Sequence, residues 1–87
     1  MDLNKLRPAT LAGIVVDLLE AIKDQQDVVF IRTKEALTAQ EEENILQGAD
    51  QKFKQLEASL EQAFDALIDT CGLFWAFDYI DKVKKSN

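Results

Sequence analysis

The sequence predicts an all-α protein: a long helical hairpin, with arms at about residues 8–46 and 50–84, that dimerises into a four-helix bundle. The 87 residues include only three glycines and one proline, whereas a β-sandwich or barrel of this length usually needs more turn residues. Good helix formers (Ala, Leu, Glu, Gln and Lys) are abundant, and apolar residues recur at intervals of three and four. We interpret residues 1–87 as a single helical domain, because a chain of this length has no room for a second core.

The first predicted helix begins near Pro8 and continues to about residue 46. Proline suits the first turn of a helix because its missing N–H would have no partner there. Neither glycine nor proline interrupts the sequence between Gly13 and Gly48, so we expect this helix to be unbroken. Its apolar residues follow one stripe at helical spacing: Leu11, Val15, Leu18, Leu19, Ile22, Val29, Ala36 and Leu37.

Two segments could interrupt this helix. The polar run 24–27 contains a possible N-cap, and Thr38 with Glu41 three residues later matches a capping box, which would restart a helix. The β-branched run 28–31 could form a short strand, but a single strand would have no partner elsewhere in the chain. A break near 24–27 or 33–38 therefore stays open as the alternative to one continuous helix.

The second predicted helix covers about residues 50–84. Gly48 suits the position after a helix C-terminus and Asp50 is a good N-cap, so we place the hairpin turn at 47–50. Gly72 could end this helix or be tolerated inside it at a cost of about 1 kcal/mol, and we expect the helix to continue, with a kink, to about Lys84. Its apolar stripe contains Phe53, Leu56, Leu60, Ala63, Phe64, Leu67, Ile68 and Cys71.

The segment 71–80 holds four of the seven aromatic residues: Phe74, Trp75, Phe77 and Tyr79. On a helical wheel they point in several directions, and a helix that is apolar on several sides needs several neighbours. A lone hairpin would leave a large apolar patch exposed, and such patches mark interfaces. We therefore expect a homo-oligomer, most simply a dimer.

The candidate interface consists of the apolar residues that lie off the main stripes: Val16, Phe30, Ile31, Phe74, Trp75, Tyr79 and Val83. Two alternatives stay open. The chain could fold back as three or four shorter helices and bury these residues itself, or the hairpin could wait for a different partner.

The composition disfavours catalysis, so we expect no enzymatic activity, no catalytic residue, no metal and no cofactor. Without histidine the chain lacks the commonest general base and imidazole ligand. One cysteine cannot form a zinc site, and isolated glycines do not form a phosphate loop. Cys71 lies on the apolar stripe, where a buried thiol behaves as a small hydrophobe. The pairs Asp65 with Asp69 and Asp78 with Asp81 are typical of a solvated acidic surface.

The formal net charge of −6 argues against direct binding to nucleic acid or to anionic membranes, which Lys and Arg normally drive. Glu41, Glu42 and Glu43 form a candidate acidic patch beside the proposed turn. No segment resembles a signal peptide or approaches the roughly 18 apolar residues of a membrane span, and with a single cysteine we expect a cytoplasmic protein.

The function predicted from these observations is a non-enzymatic protein–protein interaction module, such as an adapter, assembly factor, chaperone or inhibitor, that acts as a self-associating hairpin with a protein partner. The alternative is an acidic inhibitor whose carboxylates mimic nucleic-acid phosphates and so block a nucleic-acid-binding protein. Binding through carboxylates should depend strongly on salt, whereas binding through an apolar interface should not.

Overall fold

The computed structural model describes residues 3–86, which form one short 3-10 helix and three α-helices and no strand. After the 3-10 turn at Leu3–Lys5, helix α1 spans Pro8–Glu35, α2 spans Ala39–Cys71 and α3 spans Leu73–Ser86. The predicted all-α class is confirmed for this part of the chain. The predicted element boundaries are confirmed only at the start of α1, where Pro8 is the first helical residue.

The first reversal of the chain lies at residues 36–38, so the prediction of one helix to residue 46 was wrong. Thr38 is the N-cap of α2: its side chain accepts a hydrogen bond from the backbone N–H of Glu41 at 3.1 Å. The Glu41 carboxylate in turn accepts from the backbone N–H of Leu37 at 3.0 Å. These reciprocal bonds satisfy donors that a helix start leaves open, and the capping box therefore decides where the chain turns.

The predicted turn at 47–50 was wrong as well, because α2 runs straight through Gly48. Gly48 keeps helical backbone angles, and Gly72 is the one residue with positive φ in the described chain. Asp50 is not an N-cap; its carboxylate pairs with Lys54 one turn later at 3.0 Å. Glycine costs a helix only about 1 kcal/mol, which a 33-residue helix packed along its length readily absorbs.

Gly72 forms the second corner, contrary to the predicted continuation of the helix to Lys84. Its backbone angles, φ 86° and ψ 160°, lie in a region open essentially to glycine alone. The Gly72 N–H donates to the Ile68 carbonyl at 2.7 Å, and the Gly72 carbonyl accepts from Ala76 at 2.9 Å. One residue thus ends α2 and begins α3, and α3 folds back on the pair instead of extending it.

The helices pack as an antiparallel α1–α2 pair with α3 laid along part of it. Val15 and Leu60 line one groove while Val29 and Ile45 line another. The numbers of facing residues therefore sum to about 75, and not to about 97 as the predicted turn at 47–50 would require. Helix α3 packs against both partners and reaches from Gly72 towards the middle of the pair.

The resulting rod measures 49 × 26 × 19 Å and has two regions. The three-helix end comprises residues 8–20, 57–71 and α3; the two-helix end comprises 21–35 and 39–56. The core lies in the three-helix end, where four alanines let the helices approach closely. Its buried members are Leu11, Ala12, Val15, Val16, Ala63, Ala66, Leu67, Ala76 and Ile80.

Candidate interaction surface

Much of the apolar surface is uncovered. Ten large hydrophobic residues in the described chain are between 37% and 89% exposed, in both regions of the rod. Scattered exposed apolar residues are ordinary, but clusters of this size relative to the domain mark interaction sites. The ten are Leu19, Val28, Phe30, Ile31, Leu37, Leu46, Leu73, Phe74, Trp75 and Phe77.

Helix α3 divides the predicted aromatic interface into an inner and an outer part. Tyr79 and Val83 are half-buried and pack against the core. Phe74 and Trp75 point outward at 78% and 55% exposure, with their rings edge to face at 5.7 Å. Phe77 tilts over Phe64 at 5.7 Å and is still 57% exposed. The outer part forms an aromatic patch at the base of the rod, beside the α2–α3 corner.

The remaining candidate interface residues lie on α1. Val16 is 2% exposed and belongs to the core, so its inclusion in the interface was wrong: α3 covers the side of α1 that a two-helix hairpin would leave open. Phe30 and Ile31 are more than half exposed in the two-helix end. The Lys34 ammonium lies 4.5 Å from the Phe30 ring centre, an exposed cation–π contact of about 0.5–1 kcal/mol.

Two grooves flank the α1–α2 pair in the two-helix end. One, with a volume of about 680 Å³, is lined by charged and amide side chains together with apolar ones, among them Gln25, Arg32, Asn44 and Lys52. The other, of about 300 Å³, is more apolar, and we call it the open groove. It is lined by Gln26, Val29, Phe30, Thr33, Glu42, Leu46 and Phe53.

The open groove lies on the same side of the pair as α3. Phe53 of the open groove and Leu60 and Phe64, which lie beside α3, follow one another at intervals of seven and four residues and so share one side of α2. The two helices therefore form one continuous trough. Helix α3 fills its basal half and leaves the distal half open.

Beside α3 the trough keeps a third pocket, of about 410 Å³, whose lining joins all three helices. Val15 and Leu19 contribute from α1, and Phe77 from α3. Lys84, from the last turn of α3, lies at this pocket together with Glu57. The pocket thus follows α3 from Phe77 to its last turn.

The acidic patch lies at the tip of the rod, where α2 begins. All three glutamates are exposed, but each also has a local role in the structure. Glu41 caps the helix through Leu37, Glu42 lines the open groove, and Glu43 accepts a hydrogen bond from the Gln47 side chain at 3.4 Å. Negative charge at this position also suits the N-terminal end of a helix dipole.

The polar side chains singled out from the sequence are engaged locally. Asp78 forms an ion pair with Lys82, and Asp81 forms one with Lys85, each at 3.0 Å. The hydrogen bond from Lys85 to Asp81 and the negative charge of Asp81 raise the pKa of Lys85. The thiol of Cys71 is half-buried and donates to the Leu67 carbonyl at 3.2 Å. No cluster of three potential metal ligands occurs among residues 3–86.

The open groove was missed at the level of sequence. Leu46 and Phe53 stand seven residues apart on α2, a spacing that signals one helical stripe. The predicted turn at 47–50 assigned Leu46 and Phe53 to different helices. The sequence therefore did not predict that both residues face Phe30. Reading the helix through Gly48 would have revealed it.

Within residues 3–86 no helix combines the length and apolar character needed to cross a membrane. Comparisons with protein families, with curated proteins and with solved structures found no significant match.

Proposed function

We propose that this chain is a non-enzymatic protein–protein interaction module that self-associates, with a dimer as the simplest assembly. The observation that carries the proposal is the uncovered trough. The α1–α2 pair has an apolar trough along its length, but α3 packs against only about half of it. Exposed apolar grooves between helices bind other helices, so association would complete the burial that α3 begins.

The aromatic patch at the base supports binding of a second, different protein. Phe74 and Trp75 are exposed, adjacent and stacked edge to face, and aromatic residues of this kind are enriched among the side chains that dominate binding energy. Since the patch lies at the opposite end of the rod from the tip, one assembly could use both surfaces. This is the arrangement of an adapter or assembly factor.

The acidic inhibitor is a second candidate, and one observation favours it: Glu41, Glu42 and Glu43 are all exposed at the tip of the rod. Replacing the three with glutamine should weaken partner binding strongly only if carboxylates stand in for phosphates. Such binding should also fall steeply with salt, whereas binding through the apolar surfaces should change little.

Solution mass over a range of concentrations tests self-association. Light scattering after size exclusion should give a mass that rises from 9.8 kDa towards twice that value as concentration increases. A mass that stays at 9.8 kDa throughout would contradict self-association. The aromatic patch would then be the first surface to use in a search for a different protein partner.

A further inference from the structure

We propose that the occupant of the open groove is a second copy of this chain, packed antiparallel about a two-fold axis. The two-helix ends of both copies would form a four-helix bundle, and the end of each α3 would abut the tip of the other copy. This inference rests on the proposed function, since it names the partner and the surface of the self-association.

Continuity of the trough is the first argument. In the three-helix end the α1–α2 pair already accepts a helix in this trough, with Ala76 and Ile80 of α3 buried in it. The distal half also has apolar lining, which includes Val29, Leu46 and Phe53, with polar side chains such as Gln26 and Glu42 beside it. A surface that packs against a helix in one half has the shape and polarity to pack against helices in the other.

The size of the free surface is the second argument. Lys84 and Glu57 line the same pocket near the end of α3. We therefore take coverage of α2 by α3 to end near residue 57, which leaves residues 39–56 of α2 uncovered, roughly 27 Å at 1.5 Å per residue. Two helices side by side are about 20 Å wide, so the flat footprint is roughly 540 Å² per copy. Both copies together reach about 1,080 Å², near the roughly 1,000 Å² that a specific interface needs, before interdigitation of side chains adds to it.

Charge complementarity is the third argument and sets the direction. The antiparallel arrangement brings the tip of one copy, with Glu41, Glu42 and Glu43, to the end of α3 in the other. That end carries Lys84, which has no carboxylate within ion-pair distance among residues 3–86. Glutamates at a helix start and lysines at a helix end are each favoured by their own dipoles, and here they would also face each other.

Closure is the fourth argument. An antiparallel pair uses the same surface in both copies, so it stops at two. Helix α3 blocks further sliding at both ends and thereby fixes the register. Phe74 and Trp75 stay outside the contact, at the two far ends of the dimer.

A matched pair of neighbouring substitutions tests the surface. Phe30→Glu places a charge in the open groove, whereas Ile31→Glu places the same charge on a similarly exposed residue that lies outside the groove. We expect Phe30→Glu to raise the dimer dissociation constant at least about tenfold, because the ring is lost from the interface and a carboxylate is costly to bury there. Ile31→Glu should change the constant less than about twofold. Leu46→Glu, on the facing helix, should act like Phe30→Glu.

The outcomes separate the two proposals. Sedimentation equilibrium gives the dissociation constants, and circular dichroism confirms that each variant keeps its helical content. Equal weakening by Phe30→Glu and Ile31→Glu, or weakening by Ile31→Glu alone, would overturn the open groove as the interface while leaving self-association standing. A parent chain that is monomeric at every concentration would overturn both.

A charge swap tests the direction. Glu42→Lys alone and Lys84→Glu alone should each weaken the dimer several-fold, and the double variant should restore affinity to near the parent value, as expected for a direct pair in a double-mutant cycle. If the two substitutions act independently, the double variant should weaken dimerisation by the product of the two single-variant factors. That result would exclude the antiparallel arrangement. Thermal unfolding of the monomeric fraction controls for effects of Glu42→Lys on its own helix.

Shape and fluorescence provide two independent readouts. An antiparallel dimer that overlaps over about 27 Å should be roughly 71 Å long in X-ray scattering, compared with 49 Å for one copy; a side-by-side parallel dimer would stay near 49 Å and contradict the inference. Trp75 is the single tryptophan and remains exposed, so its emission should not change with concentration. A blue shift on association would place the interface at the aromatic patch instead.

Discussion

The two ends of this rod are built from the same two helices, yet only one of them has a core. Of the ten buried apolar residues in the described chain, nine lie in the three-helix end, and Ala49 alone lies in the two-helix end. Leu67 is 0% exposed and Leu37 is 89% exposed. The difference does not come from composition, since both ends carry apolar stripes. It comes from the number of neighbours: a pair of helices covers one stripe on each, and a third helix covers the trough between them.

The largest expected effect contrasts one leucine from each end. Leu67→Ala should destabilise the fold by about 2–5 kcal/mol, because it removes fully buried methyl groups and leaves a cavity. Leu37→Ala, the matched change at the exposed tip, should stay within about 0.5 kcal/mol. Urea unfolding at one fixed protein concentration measures both. Similar losses for the two variants would mean that the tip is buried in solution as well.

Two glycines sharpen the comparison at the level of the backbone. Gly72→Ala should cost about 1–3 kcal/mol, since alanine must adopt φ 86° at the corner that returns α3 to the trough. Gly48→Ala should instead stabilise by up to about 1 kcal/mol, because Gly48 is helical and an added methyl group there meets nothing within 4 Å. The urea midpoints should therefore move in opposite directions. A stabilised Gly72→Ala variant would show that α2 and α3 can merge into one helix.

The cap at the tip gives a smaller, local effect. Thr38→Ala removes the acceptor of the Glu41 N–H and should cost about 1 kcal/mol, felt mainly in the first turn of α2. Hydrogen exchange followed by NMR should show faster exchange of the Glu41 amide, with core amides such as that of Leu67 changing less. Thr10→Ala, in the first turn of α1, serves as the control. Unchanged exchange at Glu41 would contradict the assigned cap.

The smallest effect concerns the last turn of α3. The hydrogen bond and charge of Asp81 raise the pKa of Lys85 above its ordinary value of 10.5, so any stabilisation is present below that value and is lost as the pH rises through the raised pKa. Since Lys85 is exposed, we expect no detectable change in thermal stability as the pH rises through the pKa of Lys85. An NMR titration should show Asp81→Asn lowering the Lys85 pKa towards its ordinary value, with the weaker effect of the Asp78 charge remaining, while Asp50→Asn leaves the pKa as in the parent chain. An unshifted titration in the parent chain would refute the pairing.

Several features were predictable because their causes are local. Pro8 at the start of α1 follows from its missing N–H, and the spacing of Thr38 and Glu41 signals the cap that was kept as an alternative break. The many-sided apolar character of the segment around Trp75 also indicated that one partner helix would not suffice. Each of these depends on residues within one or two turns of one another.

The roles of Gly48 and Gly72 were not predictable in the same way. Both follow long helical segments, and nothing nearby distinguishes a glycine that is tolerated from one that turns the chain. The choice depends on whether Ala76 and Ile80 gain a place in the trough, which involves residues of α1 some 65 positions earlier in the chain. Because the first turn was predicted at the wrong position and the corner at Gly72 was predicted as continuous helix, Val16 was assigned to the surface and the residues of the open groove were assigned to two different helices.

The sequence by itself determined that this protein is helical, where its apolar residues recur at helical spacing and that Thr38 with Glu41 could cap a helix, because propensity, periodicity and capping act over a few residues. Only the tertiary structure decided which stripes are covered. Helix α3 has 14 residues and so reaches about 21 Å along the trough, less than half the length of the rod. Burial depends on neighbours brought together from distant parts of the chain, and that is why Leu67 became core and Phe30 became surface.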